Sequence, residues 1–326
     1  ALVAALERLK SSGLVQQVAV VPEPAYRFKH VLTQEVAYDS LLEHQRTMLH
    51  AAVGRAIETR YAAQLEKHVE RLTHHFGRAE EWEAAVRYGL QAADRAMALC
   101  ENADVMSLLE RAESWAQRVP DEPLRRDLLA DVLLRTERLC ETLGLRTRQL
   151  ALVESLIALL APHGPSVRLA QAYLRQGDAL TLLRRFEAAE RSLLTARQIA
   201  EELDEPSGER NALRSLSFLR SHEGRHDEAL AIIEEVVASA RAAGDRRAEH
   251  GDLASIANIL RALGRPEQAR DVLQEAIDRT DHAVNPARYG ALLNVMATLH
   301  RDLGDLPAAL EYYQRTRSYV PHTVYA

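Results

Sequence analysis

Lysine is nearly absent from this chain of 326 residues, because Lys10, Lys29 and Lys67 are the only lysines among its 41 basic residues. The remaining basic residues are arginines, a bias that is also typical of a GC-rich genome and therefore identifies no ligand. The formal net charge of −6 provides no general attraction to phosphate backbones or to anionic membrane surfaces. We therefore expect neither nucleic acid nor a membrane as a partner.

Cysteine is also scarce, since Cys100 and Cys140 are the only two. Two cysteines are too few for a disulfide framework or a thiolate metal site, and their scarcity is typical of a protein in a reducing cytoplasm. Apolar runs of the roughly 18 to 20 residues that span a bilayer are missing, and the chain does not start like a signal peptide. Because Ala1 already lies within a helical pattern, we interpret the chain as a fragment of a longer protein.

Glycine and proline are sparse, at 14 and 11 residues, and aromatic residues make up only 5% of the chain. Alanine, leucine, arginine and glutamate dominate instead, and all four favour helices. The composition therefore predicts an all-α protein.

A repeat with a period of 40 residues is the strongest pattern in the sequence. Four segments in the same register combine a turn with a following alanine, and a fifth segment at 144–149 shares the register without the alanine. The four segments are 184–189, 224–229, 264–269 and 304–309. Fixed periods of this length are the signature of stacked helical units.

Each unit is predicted to be a helix, a tight turn and a second helix. A turn glycine such as Gly224 can adopt the left-handed conformation that closes a helix, whereas Arg184 must close its turn differently or under slight strain. Acidic residues and prolines after the turn suit the first turn of a new helix. An alanine such as Ala229 lets the two helices approach closely. A single unit cannot bury both of its faces, so neighbouring units must stack and leave a concave inner surface.

At these positions the chain resembles the tetratricopeptide repeat family, in a lengthened form of about 40 residues that covers 144–319. The resemblance also rests on small residues before the turn and later in the second helix, which are Gly177, Ala257, Ala297, Ala196 and Ala276. It implies a right-handed α-solenoid in which the first helix of each unit lines a concave groove.

The amino-terminal third is predicted to contain a short helix and then a β-hairpin, formed by 14–21 and 25–28 around Pro22 and Pro24. A helix followed by a hairpin is how a winged-helix domain ends. The stretch 26–58 resembles the segment that joins a winged helix to tetratricopeptide repeats in bacterial signal-transduction ATPases with numerous domains. In that family it lies behind an ATPase module that accompanies a class III cyclase, a Ser/Thr kinase or a transcription regulator.

These features divide the chain into three parts. Residues 1–45 are predicted to form the end of the winged-helix domain with its joining helix, and 46–123 a helical linker with degenerate repeats. Residues 124–326 are predicted to form the regular repeat array.

Motifs for catalysis are missing. The sequence has no Gly-x4-Gly-Lys-Ser/Thr phosphate loop, no His-Glu-x-x-His zinc motif and no Gly-x-Ser-x-Gly elbow. His68, His74 and His75 lie close together in sequence, but nearby residues do not complete a metal ligand set, so we interpret them as packed or solvated. We predict no catalytic residue, no cofactor and no metal site.

Seven polar or aromatic side chains are candidates for ligand contacts, because the repeat register places them on the first helices of successive units. They are Arg214, Phe218, His222, Asn258, Arg261, Asn294 and Arg301. An asparagine amide can hold a peptide backbone through two hydrogen bonds, and arginine can hold a carboxylate in a bidentate pair. This combination suits an acidic peptide or a chain terminus, while the alternative, that these are only solvent-facing residues, stays open.

Three functional hypotheses follow from the sequence. The first is a non-catalytic sensor that binds a protein, a peptide or a small ligand and controls an upstream ATPase module. The second is a passive scaffold that assembles partner proteins, and the third, an enzyme, has no supporting motif. An upstream phosphate-loop motif distinguishes the sensor from the scaffold, and the oligomeric state is not predicted.

Overall fold

A computed structural model of the chain describes residues 2–19, 25–99 and 102–319. In these residues the chain forms sixteen α-helices, one two-stranded sheet and two 3-10 segments. The contacts divide the chain into unit 1, residues 1–128, and unit 2, residues 129–326. Cys100 and the predicted turn at Pro22 and Pro24 lie outside the described residues.

Unit 1 begins with helix α1, Leu2–Ser11, and with the antiparallel strands β1, Val15–Ala19, and β2, Ala25–Phe28. The predicted hairpin is therefore confirmed for its two strands. The helices that follow are α2, Val31–Asp39; α3, Glu43–Arg60; α4, Val69–Arg78; α5, Trp82–Ala98; and α6, Asn102–Ala116, with a 3-10 segment at Ala62–His68 before α4. Helix α7, Glu122–Thr142, spans the division between the units.

The core of unit 1 forms where α3, α4 and α5 pack together. Phe76 of α4 stacks on Tyr88 of α5, with ring centroids 5.6 Å apart. Gly54 of α3 makes room for this ring, since a Cβ atom at position 54 would lie 2.9 Å from Phe76 Cε1. The Tyr88 hydroxyl donates a hydrogen bond to Glu58 of α3, so a polar contact also joins α3 and α5.

Unit 2 is a run of antiparallel helix pairs. Its further helices are α8, Arg146–Leu160; α9, Val167–Leu182; α10, Phe186–Glu202; α11, Pro206–His222; α12, His226–Ala242; α13, Arg246–Ala262; α14, Pro266–Asp278; α15, Pro286–Asp302; and α16, Leu306–Arg317. A 3-10 segment at Ala161–His163 follows α8. The predicted units of helix, turn and helix are confirmed, and unit 2 is an α-solenoid of tetratricopeptide-like repeats.

The alanine of each unit lies in the core, as its close approach to the first helix requires. Ala189, Ala229, Ala269 and Ala309 are at most 3% exposed. Large apolar side chains one turn along the same helices, such as Leu193 and Ile233, are fully buried. Small and large residues thus alternate along the second helix of each pair and form a continuous core between stacked units.

Ion pairs join first helices of neighbouring units, and they differ from one junction to the next. Arg168 of α9 pairs with Asp131 of α7 at 3.1 Å. Arg214 of α11 pairs with Asp252 of α13, and Arg261 of α13 pairs with Asp302 of α15. Apolar packing recurs between neighbouring units, whereas each of these three ion pairs occurs at a single junction.

The turns close as predicted, with a left-handed residue at the end of each first helix. Gly224, Gly264 and Gly304 have φ angles of +82°, +70° and +81°. Arg184 has a φ of +58° at the equivalent position, and it donates its backbone N–H to Thr181 O at 2.9 Å, as Gly224 donates to Ser221 O at 3.1 Å. The turn at Arg184 is therefore closed by the same left-handed conformation and backbone hydrogen bond as the glycine turn. Of the two predicted outcomes, a different closure or a slightly strained one, the structure has the strained one.

Replacing Arg184 with glycine should stabilise unit 2 by about 0.5–1 kcal/mol, because a residue with a Cβ atom is strained in the left-handed region. The gain in the free energy of unfolding is smaller than the strain energy that is relieved, because glycine also has more conformational freedom in the unfolded chain. Urea denaturation followed by far-UV circular dichroism measures it. The matched control is Gly224→Arg, which should cost a similar amount, since a Cβ atom there meets no atom within 4 Å. A Gly224→Arg variant as stable as the parent would contradict the strain argument.

Candidate functional site

A cavity of about 530 Å³ lies along the first helices α9, α11 and α13 of three successive repeats in unit 2. We call it the groove. Its polar lining comprises Glu141, Asp178, Arg214, Ser215, Ser217, Ser221, His222, Ser255 and Asn258, and its apolar lining comprises Leu182, Phe218, Ile233 and Ile259. The groove thus joins apolar surface to a row of side chains that donate or accept hydrogen bonds.

Four of the seven predicted contact residues line this groove. Arg214, Phe218 and His222 follow each other at steps of four along α11, and so lie on one face of that helix. Asn258 is contributed by α13 and is exposed. The repeat register therefore brings together residues that are 44 positions apart in sequence.

The other three predicted residues, Arg261, Asn294 and Arg301, are not part of the groove lining. Arg261 forms an ion pair with Asp302, and Arg301 Nη2 lies 3.0 Å from the same carboxylate. These two guanidinium groups lower the pKa of Asp302, chiefly through the hydrogen bond from Arg261. A ligand contact for these residues stays a prediction.

Arg214 is held by a buried carboxylate. Its Nη2 donates to Asp252 Oδ2 at 2.8 Å and its Nε donates to Asp252 Oδ1, a bidentate pair, while the Asp252 side chain is only 2% exposed. Nη1 donates to Asn211 Oδ1 at 2.6 Å. The hydrogen bond to Asp252 raises the pKa of Arg214, so the guanidinium is charged but its charge is largely compensated inside the protein.

Asp178 is the groove residue with the most perturbed carboxyl group. Burial raises its pKa to about 6, against a smaller lowering by the hydrogen bond from Ser215 and by the nearby Arg175. Glu141 and Glu137 raise it further through like-charge repulsion. Among the ion pairs within the described residues, none includes Asp178.

A second buried acid lies next to the groove. The side chain of Glu137 is 1% exposed, and burial raises its pKa. Gln149 Nε2 donates to Glu137 Oε1 at 2.6 Å. Arg175 Nη1 lies 3.0 Å from Glu137 and 3.2 Å from Glu141, so one guanidinium is shared by two carboxylates.

The sequence interpretation missed Asp178, although a signal for it was present. Asp178 lies 40 residues before Phe218 and 80 before Asn258, in the register from which both were chosen. Extending that register one unit towards the amino terminus identifies it. The burial that shifts its pKa is not visible in the sequence.

The aromatic part of the groove is formed by Phe218 and His222. Their ring centroids are 4.3 Å apart in an edge-on arrangement, and Phe218 remains 39% exposed. Burial, together with the charge of Arg184, lowers the pKa of His222. His222 is therefore neutral at pH 7, and the pair presents an uncharged π surface.

Three histidines of unit 1, His50, His74 and His75, lie together in the structure. His50 of α3 lies with its Nδ1 2.9 Å from His75 Nδ1, and the Tyr38 hydroxyl lies 2.9 Å from His50 Nε2. His74 packs edge-on to His50, whereas His68 lies over the ring of Tyr61 instead. Within 2–19, 25–99 and 102–319, no group of three or more His, Cys, Asp or Glu side chains is arranged to hold a metal ion.

Unit 1 should lose stability as the pH falls from about 7 towards 4. Burial lowers the pKa of His50 and His74, and it lowers that of His75 to about 4, with neighbouring histidines and Arg71 or Arg78 acting in the same direction. The unfolded chain then binds more protons than the folded chain between about pH 6.5 and 4, so the free energy of unfolding rises with pH in that window.

Tryptophan fluorescence measures this effect, because both tryptophans, Trp82 and Trp115, lie in unit 1. The urea midpoint of the fluorescence transition should fall between pH 7 and pH 4, and His75→Gln should flatten the dependence. His282→Gln in unit 2 is the control and should leave it unchanged. A midpoint that rises on acidification would contradict the argument.

The helices of the described part of the chain include none that is both long enough and apolar enough to cross a membrane. Cys140 is a buried free thiol, and burial raises its pKa, which makes it a poor nucleophile.

A model of the tetratricopeptide repeat family matches residues 251–319. No curated protein sequence matches this chain significantly. Tetratricopeptide repeats typically form non-catalytic scaffolds for protein interactions, and the match indicates no catalytic family.

Solved structures with a similar fold share little sequence with this chain. The apo form of RapI is 12% identical, with a TM-score of 0.55 over 84% of this chain and 97% of its own. Aspartyl phosphate phosphatase F from Bacillus subtilis is 12% identical, with a TM-score of 0.56 over 90% and 88%. NprR in complex with its cognate peptide NprX is 14% identical, with a TM-score of 0.56 over 86% and 78%. At these identities the similarity shows the fold alone.

Proposed function

We propose that this chain is a non-catalytic sensor and interaction module whose groove binds a protein or peptide partner. The observation that carries the proposal is the groove itself, a cavity of about 530 Å³ that lies chiefly along three successive first helices and is lined by four of the predicted contact residues. The similar structure of NprR contains a bound peptide, which supports a peptide as the ligand type.

The groove has the properties of a peptide site rather than of a closed small-molecule pocket. Phe218 and Leu182 are 39% and 41% exposed, so they offer apolar contact without being covered by the protein. The amide of Asn258 can pair with the C=O and N–H of a peptide bond, and Ser221 and Ser255 add hydroxyl groups. An extended segment lying across α9, α11 and α13 would meet each of these groups in turn.

Site-specific photocrosslinking tests the proposal on the full 326-residue chain. We replace Phe218 with p-benzoylphenylalanine, irradiate the protein in extract from its source cells, and identify attached peptides by mass spectrometry. The control carries the same group at Leu310 of α16, which is 59% exposed and outside the groove. We expect a defined adduct at position 218 that decreases with Asn258→Ala. Equal labelling at both positions would contradict a groove ligand.

We also propose that unit 1 connects the groove to an upstream ATPase module, as the resemblance of 26–58 implies. The apolar residues of α2 support this: Val31, Leu32 and Val36 are 69%, 73% and 70% exposed. Met48 of α3 is also 69% exposed. Exposed apolar residues concentrated in this way mark interaction surfaces. Ligand control of the module requires that the ligand binds its two states with different affinity.

The reading frame upstream of Ala1 tests this second step. A Gly-x4-Gly-Lys-Ser/Thr motif is expected there, and its absence would favour the passive scaffold. In the longer protein, groove ligand should change the rate of ATP hydrolysis, and the paired replacement of Val31 and Leu32 with serine should remove that response. Leu310→Ser is the matched control, since it removes an exposed leucine from α16.

A further inference from the structure

We infer that the groove selects a basic residue of its peptide ligand, with a lysine or arginine side chain crossing the apolar surface of Phe218 and Leu182 to reach the carboxylates of Asp178 and Glu141. This inference rests on the proposed function and specifies the chemistry of its ligand. Three observations support it: the carboxylates at the groove, the apolar surface beside them, and the ion pairs that already neutralise the nearby Arg175 and Arg214.

The carboxylates at the groove exceed the cations available to them. Asp178, Glu141, Glu137 and Asp252 are the acids in this region, and Arg175 and Arg214 are the guanidinium groups that contact three of them. The fourth acid, Asp178, has the Ser215 hydroxyl as its hydrogen-bond partner. A hydroxyl donates one hydrogen bond and brings no positive charge, so the half-buried Asp178 carboxylate has the nearby Arg175 charge but no ion pair of its own among the described residues.

The guanidinium groups near the groove are already engaged, and this argues against an acidic ligand. Arg214 is held in a bidentate pair by Asp252, and Arg175 is shared between Glu137 and Glu141. Arg184, which acts on His222, lies 5.5 Å over the ring of Phe186. To pair with Arg214 or Arg175, a ligand carboxylate would have to displace an existing ion pair, and it would also face the charge of Asp178. An acidic peptide, the ligand expected from the sequence, therefore has the less favourable charge for this groove.

The apolar surface beside the acids matches the stem of a long basic side chain. Leu182 and Phe218 are about 40% exposed. Lysine and arginine pack their methylene groups on such surfaces while their charged ends reach a polar site. The ring of Phe218, with neutral His222 beside it, also attracts a cation to its face.

The binding of a cation should depend on pH in a defined direction. Burial raises the pKa of Asp178 to about 6, so at pH 5 the carboxyl is mostly protonated in the free protein. A cation binds the ionised form, so binding lowers the pKa of this group and releases a proton near pH 6. Affinity should therefore rise between pH 5 and pH 7.5.

Three pools of capped heptapeptides test the inference, with all positions randomised except the central one. The central residue is arginine, citrulline or glutamate; citrulline has the shape of arginine without its charge. The readout is a methyl NMR titration of the full chain that follows Leu182, Ile233 and Ile259, three apolar residues of the groove. We expect the arginine pool to half-saturate these signals at least tenfold below the citrulline pool, and the glutamate pool to be weakest.

Asp178→Asn should reduce the preference for arginine over citrulline to less than threefold, and lowering the pH from 7.5 to 5 should weaken the arginine pool. The matched control is Asp271→Asn, which removes the same charge from a side chain of α14 that is 74% exposed. Unchanged positions of methyl signals outside the groove show that each variant is folded.

The outcomes separate the inference from the proposed function. If the arginine and citrulline pools bind equally to the native chain, the inference is wrong and groove binding stands. If the pools shift methyl signals only outside the groove, the proposed function is wrong as well. Acetyl-arginine amide is titrated alongside, and if it saturates at the same concentration as the arginine pool, the ligand is a small cation and the peptide is excluded.

Discussion

Replacing Arg214 with alanine should destabilise unit 2 by about 2–3 kcal/mol, because the change leaves Asp252 buried without its counter-charge. Removing one partner of a buried ion pair costs roughly 3–5 kcal/mol. We expect a smaller loss here because the Arg214 side chain is one-third exposed, so water already screens part of the interaction. Hydrogen exchange of α11 and α13 measures the effect locally, and urea denaturation gives the free energy.

Two further variants establish that the buried charge causes this loss. Asp252→Ala alone should cost less, since the Arg214 side chain can turn to solvent, and adding it to Arg214→Ala should recover about half of the destabilisation. Arg279→Ala breaks a surface pair with Glu275, whose side chains are 44% and 41% exposed, and should change stability by less than about 0.5 kcal/mol. Additive single and double variants would contradict the explanation.

This result also affects how binding data are interpreted. Arg214 lines the groove, so weaker ligand binding by Arg214→Ala would look like a lost contact. A variant that has lost the α11 to α13 ion pair would bind less well even if Arg214 never touched the ligand. Asn258 and Phe218 are better probes of ligand contact, because both are exposed in the groove.

Replacing Gly177 with alanine should destabilise the α9–α10 pair by about 2 kcal/mol. A Cβ atom at this position would lie 2.4 Å from Leu193 Cδ2, 2.5 Å from Leu193 Cγ and 3.3 Å from the backbone oxygen of Ala189. Leu193 is fully buried and cannot move away without displacing its neighbours. Overpacking of this kind costs roughly 1–3 kcal/mol, which outweighs the gain of up to about 1 kcal/mol that alanine brings to a helix.

Gly89 in α5 provides the control, because its nearest neighbours would lie 3.7 Å from an added Cβ atom. Gly89→Ala should therefore stabilise unit 1 by up to about 1 kcal/mol through helix propensity alone. Combining Gly177→Ala with Leu193→Val should recover part of the loss, since the shorter side chain vacates the clash. If both single glycine replacements are stabilising, α9 and α10 are not in the contact described. Urea denaturation followed by tryptophan fluorescence for unit 1, and hydrogen exchange of α9 and α10 for unit 2, distinguish these outcomes.

The fold was predictable from the sequence because its signals are local and repeated. The turn residues Gly224 and Gly264 and the buried Ala229 and Ala269 each report a backbone or packing requirement that recurs every 40 residues. Even the exception at Arg184 followed from the same requirement. The β-hairpin was identified from its β-rich segments, whereas its assignment to a winged-helix domain stays a prediction.

The groove was only partly predictable, because its chemistry depends on pairs of residues that are distant in sequence. Arg214 and Asp252 are 38 positions apart, and nothing local to Arg214 indicates that its charge is compensated. The shifted pKa of Asp178 results from burial among three helices, which a helical pattern does not specify. The repeat register locates positions in the groove, but it does not determine the charge that the groove presents.

The ion pairs between first helices bear on how this array evolved. Asp252 has alanine at the equivalent position of the preceding unit, Ala212, and leucine at that of the following unit, Leu292. If two repeats exchanged places, apolar surfaces would still meet apolar surfaces, but the buried Asp252 would lose Arg214. The ion pairs between neighbouring repeats therefore favour one linear order of the repeats. Duplication of one unit would produce a copy that is misplaced until compensating substitutions arise.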